Sequence, residues 1–501
     1  MTHFPLPTLR LPLRSTLSAL LLSAGLLAAP LRAEAQPLPC STATPGVVHE
    51  MRAVWLTTLS GLDWPRRPAR TEAEAAQQRA ALCDMLDRLE AAGINTVLFQ
   101  SRIRSTTAYA SAIEPWDGAF TGTPGQRPDY DPLAFAVEEC HRRGMEIHAW
   151  VVAFPICKAG VAKQLGARAL PKQHPELCQR CGDQWMMDPG VPGTAPYLAR
   201  LCREIVEHYD VDGIHLDYIR YPEPSIPFND DATYRRYGGG QNRAAWRTAN
   251  VDRCVEAIHD AVKAVRPWVK LSCSPVGKYA DLARFSSYGW NARDAVHQDA
   301  ARWLSEGWMD LLFPMMYFDG KHYYPFVADW KERDAGRCIA PGLGIYFLHP
   351  QEKDWPLVTV RRQMNVARAE GLGGQAFFRA KYLLENHKGL LDWLSADFYR
   401  RPALVPAMTW ADSVAPAAPR VTQRLEGMTL HLEWAPVLDD TPVTYNVYRL
   451  DARYGDCLLA RRLTRTEFTR LLGLPALRHS RYAVTAVDAY GNESRPAFAG
   501  E

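Results

Sequence analysis

The stretch DGIHLDYIRYP, residues 212–222, decides how this chain is read. Ile214 and Leu216 are apolar and share one face of an extended strand, while His215 and Asp217 share the other. A glycine precedes the strand, and Tyr218, Arg220, Tyr221 and Pro222 follow its terminal carboxylate. The unit recurs along the chain as an amphipathic helix, a glycine that stops it and a short strand rich in Val, Ile, Leu and aromatics. Residues 72–92 put Leu82, Met85, Leu86 and Leu89 on one helical face before Gly93 and a strand at 95–100. The pattern returns at Gly144 before 146–152, at Gly213 before 214–217, at Gly307 before 310–317 and at Gly371 before 375–378. Strands at 52–58, at 269–274 after the helix carrying Val251, Val255, Ile258 and Val262, and at 339–346 complete a set of eight.

Eight strands alternating with helices predict an α/β chain built as a closed (β/α)8 TIM barrel over residues 49–402. An open doubly wound sheet would alternate in the same way, but it carries a Gly-rich phosphate loop after an early strand, and none is present. In a barrel the chemistry belongs at the C-terminal ends of the strands, so position sorts the candidate residues. Long loops at 63–67, 102–130, 154–194, 220–242 and 275–298 follow those ends and would wall a cleft. After a linker at 403–416 the texture changes to short alternating strands at 429–434, 443–449 and 481–487, with a turn at 488–492. Trp434, the strand Tyr445 to Arg449 and the strand Tyr482 to Asp488 make residues 417–501 resemble a fibronectin type III domain, a small all-β immunoglobulin-like sandwich. Such a module spaces or docks.

Residues 1–35 read as an export signal: Arg10 and Arg14, an apolar run from Leu17 to Ala29, then Ala33-Glu34-Ala35 as a cleavage site. The run is too short to span a bilayer, and no other segment looks transmembrane. A linker at 36–48 follows; Cys40 lacks the small residues that would precede a lipid-anchored cysteine. The expected location is the periplasm or the cell surface. Three arginines and one glutamate leave with the signal, so the formal charge falls from +3 to +1, which disfavours nucleic acid as a partner. The 15 Trp and 21 Tyr supply faces that can stack on sugar rings, although many will simply fill the core. Eleven cysteines are an odd number. The Cys178–Cys181 pair lacks the second half of a structural zinc site, and a local disulfide from Cys157 to one of the pair is expected instead. No metal or organic cofactor is called for, and nothing identifies a protein partner.

Hydrolysis of a glycosidic bond needs a proton donor for the leaving oxygen and a second group at the anomeric carbon, so paired carboxylates are the expected signature. Three acids stand at or after strand ends: Asp217, Asp319 and Glu114. Arg220 beside Asp217 would keep it ionised, which suits a nucleophile or stabiliser, with Asp319 or Glu114 as acid/base. Asp212, at the other end of the strand, belongs to the stability face. His215 shares Asp217's inward face, as a hydrogen-bond partner or a packed core histidine. His148 and Trp150 share a face of the third strand, and Gln100 and Arg102 end the second. Tyr317 and Tyr346 close the sixth and seventh strands, so these residues with Arg220 form the expected sugar subsite.

Several segments together resemble the family-ten-like glycosyl hydrolases. They are Glu50 to Trp55 with Asp63-Trp64-Pro65, Glu114-Pro115-Trp116, Tyr130 to Leu133, Glu146 to Trp150, Asp188-Pro189-Gly190, Asp212 to Tyr218 with Arg220-Tyr221-Pro222, and Ser274 to Gly277. They run in order from about residue 50 to residue 400. The resemblance implies a barrel glycosidase acting on glycan strands of peptidoglycan that have lost their peptide stems. One departure is Val151 to Pro155 where the family usually has Asn-Pro. A weaker likeness to chitinase-type barrels fits Asp212, Gly213 and Asp217, but Ile219 stands where their acid would be. The rival expectations are a non-catalytic glycan-binding envelope protein and a hydrolase of another polysaccharide.

Overall fold

A computed structural model describes residues 47–451, 457–473 and 480–499. The expected signal peptide and Cys40 lie outside the described residues. Eight parallel segments form the main sheet: Met51–Leu56 (β1), Thr96–Arg102 (β2), Glu146–Val152 (β3), Gly213–Asp217 (β4), Lys270–Cys273 (β5), Leu311–Leu312 (β6), the two pieces Cys338–Ile339 and Gly342–Leu343 (β7) and Gly374–Phe377 (β8). The hydrogen-bonded order is β6-β5-β4-β3-β2-β1-β8, with one piece of β7 on β6 and the other on β8. Ala340 N donates to Leu312 O at 2.9 Å and Phe378 N to Leu343 O at 3.0 Å, so the single segment 338–343 joins both ends and the ring of bonds closes.

The sixth and seventh strands are shorter than the sequence pattern predicts. Pro314 lies within the first and Pro341 within the second, and each removes a ladder N–H. Helices cover the outside for ordinary reasons. The helix Glu72–Ala91 starts with a capping box between Thr71 and Glu74 and buries Ala75, Gln78, Leu82, Leu86 and Leu89. Gly213 is required by close approach, because a Cβ there would stand 2.6 Å from the His148 ring.

The loop after β3 carries its own small sheet, Pro155–Lys158, Cys178–Cys181 and Gln184–Met187, with the last strand in the middle. This overturns the expected disulfide. Cys157, Cys178 and Cys181 are free thiols. The central strand separates Cys157 from the other two, beyond the reach of a disulfide between Cα atoms. Cys178 and Cys181 are three apart on one strand, so they point to opposite faces.

C-terminal to the barrel, Val421–Glu426, Thr429–Trp434 and Glu467–Leu471 form one antiparallel sheet. Thr444–Asp451, Cys457–Leu463, Ser480–Val487 and Ala497–Phe498 form a second. Val421, Leu430, Leu432, Trp434, Tyr445, Val447, Phe468 and Val484 pack into one core between them. This all-β unit sits under the N-terminal ends of the barrel strands. Arg461 donates to Ile94 O at 3.0 Å, and Arg462 donates to Glu146 at 3.2 Å and also to Asp212. Gly144, at φ +63, lets the Arg461 backbone come so close that a Cβ would lie 2.6 Å from its carbonyl oxygen. The stretch 403–416, expected as a linker, is packed: Ala403–Leu404 pairs with Val48–His49, and the Trp410 indole donates to Asp310 at 3.1 Å.

Candidate active site

Asp217 closes β4 at the mouth of the barrel, where strand alternation turns it and His215 inward while Ile214 and Leu216 enter the outer core. The register sets Val152 beside Asp217 and Trp150 beside His215. The carboxylate is buried and receives three neutral donors. Ser274 Oγ and the Tyr218 amide donate to Oδ1 at 3.1 and 2.8 Å, and the Trp150 indole donates to Oδ2 at 3.2 Å. Burial pushes its pKa up, and this outweighs the opposing pulls of Arg220, Ser274, Tyr218 and Trp150. The expectation that Arg220 dominates the electrostatics of Asp217 is thereby corrected: Arg220 pulls the pKa down, but desolvation is the larger influence and the net direction is up.

Arg220 is buried, with its guanidinium 4.8 Å from the Tyr218 ring and 5.3 Å from the Trp290 ring. It also reaches Glu223 at 3.4 Å. Glu223 is therefore the carboxylate that the structure brings to the Asp217–Arg220 corner. Trp290 is exposed, and buried Lys278 holds the loop before it by donating to Gly289 O at 2.7 Å. Across the mouth, Tyr317 stacks on Phe378 at 5.3 Å and meets Tyr346 edge-on at 6.0 Å. Burial raises the pKa of the Tyr317 hydroxyl, and the Asp217 charge adds to it, which leaves it a neutral donor.

Other expected site residues serve the scaffold. Glu114 is clamped by Arg102 through two 2.7 Å bonds and also accepts from Tyr197 at 3.0 Å; both partners of the ion pair are fully buried. Arg102 further donates to Val152 O and Ala153 O, so the pair ties the loop after β2 to the end of β3. With both oxygens spent, Glu114 is removed as a candidate acid. The Gln100 side-chain oxygen accepts from Thr57 Oγ1 at 2.7 Å, Thr58 N at 3.0 Å and Leu59 N at 2.8 Å, which fixes the loop after β1. His215 accepts from the Trp55 indole at 3.1 Å and meets Ser272 at 3.0 Å. Burial drives its pKa well down, so it is a neutral core histidine one layer below Asp217. His148 is lower still, 3.2 Å from Glu146. Asp319 is exposed and accepts from Gly320 N at 2.6 Å, capping its own loop away from the contacts of Asp217.

Sequence reasoning missed Ser274, Glu223 and Trp290. Ser274 has a legible signal, because Ser272 and Ser274 share the inward face of the fifth strand. Glu223 and Trp290 lie on loops, where no periodicity says which side chains turn back to the mouth. Among the described residues no group of His, Cys, Asp and Glu is disposed to hold a metal ion, and no helix is long and apolar enough to cross a membrane.

The profile of the glycosyl hydrolase-like 10 family matches residues 50–334. The chain is 31% identical to the glycosyl hydrolase YngK of Bacillus subtilis, over 89% of this chain and 92% of that one. It is 32% identical to the glycosyl hydrolase DigH of Escherichia coli K12, over 66% of this chain and 83% of that one. The glycoside hydrolase domain of PgaB (BpsB) from Bordetella bronchiseptica superposes with a TM-score of 0.48 at 12% identity, covering 70% of this chain and 98% of that domain.

Proposed function

The chain belongs to the glycosyl hydrolase-like 10 family, and on that premise we propose that it is a secreted glycosidase that cleaves denuded glycan strands of peptidoglycan in the cell envelope. The observation that carries the proposal is the setting of Asp217: a desolvated carboxylate at the barrel mouth, held by three neutral donors, with its pKa pushed up by burial. A carboxyl whose pKa is raised by burial is the member of a pair suited to deliver a proton to the departing glycosidic oxygen. Glu223, on the same guanidinium and less buried, supplies the second carboxylate and acts on the attacking water or the oxocarbenium-like centre. Trp290, Tyr218 and Tyr317 offer ring faces and a hydroxyl to the sugar. The small C-terminal domain is proposed to be fibronectin type III-like, acting as a fixed base for the barrel.

The test uses the full chain and glycan strands stripped of peptide by an amidase. Wild type should release soluble fragments and D217N should not, while D217N still binds the strands. Binding without product release by wild type would instead identify a non-catalytic glycan-binding protein.

A further inference from the structure

The segments that follow β4, β5 and β6 carry every exposed aromatic side chain among the described residues: Tyr218, Tyr237, Tyr288, Trp290 and Phe318. None of the exposed large aliphatic side chains lies between residues 218 and 318. Tyr237 ends a short helix, and the other four trace a path away from the Asp217 corner. Tyr218 and Trp290 flank the Arg220 guanidinium, with ring centres 4.8 and 5.3 Å from it. Tyr288, on the same loop as Trp290, is 72% exposed, and its ring meets His322 edge-on at 4.3 Å. His322 in turn lies 6.4 Å from the ring of Phe318, the residue after Tyr317. The path thus leaves the corner on the loop after β5, crosses to the loop after β6 and returns to the mouth at Tyr317. Its backbone is fixed from below: buried Lys278 donates to Tyr288 O at 3.4 Å, to Gly289 O at 2.7 Å and to the Asp281 carboxylate at 2.8 Å. Large rings held out on an anchored loop give contact area at a small cost in ordering.

We infer that Tyr288 and Phe318, joined through His322, form an outer stacking platform for sugar units of the strand beyond those at the Asp217 corner. The platform makes the site one that grips a length of polymer, so affinity rises with chain length. The inference rests on the proposed glycan substrate and deepens it. The composition of the face selects the occupant. Rings without exposed aliphatic neighbours, spaced by polar groups such as His322 and by Lys321, whose ammonium stands 5.3 Å from the Tyr288 ring centre, suit a ligand with flat CH faces and a hydroxyl rim.

The test measures binding, so that it does not depend on turnover. The full chain carrying D217N is titrated calorimetrically with a peptide-free tetrasaccharide and a peptide-free octasaccharide of the same glycan. The octasaccharide should bind about tenfold more tightly, the scale of two stacked rings, beyond the statistical gain from its additional registers. Adding Y288A and F318A, with an unchanged melting temperature as the folding control, should leave only the statistical gain. Y288F should keep the full preference, because a ring face and not the hydroxyl makes the contact. Equal affinity for the two lengths, a preference that survives the double alanine substitution, or a loss in Y288F as large as in Y288A overturns the inference. Self-association of the chain that the double substitution abolishes, with length dependence unchanged, assigns the face to a second copy and overturns it as well. Wild-type cleavage of denuded strands, assayed alongside, reports on the proposed activity separately. Cleavage without length preference removes only the platform, whereas failure to bind either oligomer together with absent cleavage removes the functional reading and the platform with it.

Discussion

Asp212 and Asp217 stand at opposite ends of the same strand, and their carboxylates are driven in opposite directions. At the lower end burial pushes Asp212 up, but Arg462, His141 at 2.9 Å and the Ile147 amide at 2.8 Å more than offset this and hold its pKa well down. Glu146 nearby follows the same logic: against its burial, Lys270 at 2.7 Å, His148 and Arg462 bring it to about 2. At the upper end Asp217 has neutral donors and no ion pair among the described residues, and burial prevails. The lower cluster is solved as a structural problem, with each charge matched. The upper one is left without an ion pair, which costs stability and raises the carboxyl's pKa above its ordinary value.

The sharpest break of this comparison is D217N. Loss of a positioned acid should lower kcat by about 10³-fold. The stability effect has the opposite sign. A carboxyl whose folded pKa is raised stabilises the fold only below its unfolded value near 4, and that contribution is lost as pH rises through the folded pKa. At neutral pH, D217N should therefore melt at a higher temperature than wild type, as read by calorimetry beside the activity assay. A lower melting temperature would mean that Asp217 is a structural charge like Asp212.

R462A attacks the matched end. It leaves Glu146 and Asp212 short of a cation and should cost about 3 kcal/mol, the low end for breaking a buried pair because Arg462 keeps some exposure. The measurement is denaturant unfolding at pH 7, with kcat per folded molecule unchanged. The penalty should fade as pH drops below about 4, where both carboxylates take up protons in the unfolded chain and their contribution is lost through the folded values.

E223Q tests whether the unmatched end is a pair. It should lower kcat by about 30-fold, less than D217N, and shift one limb of the pH–rate profile, with D319N as the unaffected control. If D319N is the damaging substitution instead, the partner comes from the loop after β6 and Glu223 merely orients Arg220.

How far the sequence could be read follows the same division. The strand containing Asp217 and its inward face shared with His215 came from the two-residue period of a strand, which survives folding unchanged, and the structural reading of Asp212 came from its place at the N-terminal end of a barrel strand. Glu114, Gln100 and Asp319 were misjudged because their positions at strand ends or in loops are compatible with either role. What decides is a partner distant in sequence or a local cap: Arg102 and Tyr197 for Glu114, the β1 loop for Gln100, Gly320 for Asp319. The electrostatics of Asp217 were only half legible for another reason. Arg220 is visible three residues away, whereas desolvation is a property of the assembled mouth. The clamp of Arg461 and Arg462 on the barrel floor joins residues more than 200 apart in sequence, and no local pattern announces it.

The smallest expected effect comes from His141 at the matched end. Burial lowers the imidazole pKa, but Asp212 at 2.9 Å more than restores it, so it lies above its ordinary value. A histidine whose folded pKa is raised gives its full stabilisation below the unfolded value of about 6.5, and loses it as pH rises through the folded value. H141Q should therefore cost about 1 kcal/mol at pH 5.5, with the difference from wild type narrowing as pH climbs past neutrality. Unfolding curves at several pH values decide it. A penalty that stays constant with pH would mean that His141 serves Asp212 as a neutral hydrogen-bond donor, and that Arg462 alone supplies the positive charge matching that end of the strand.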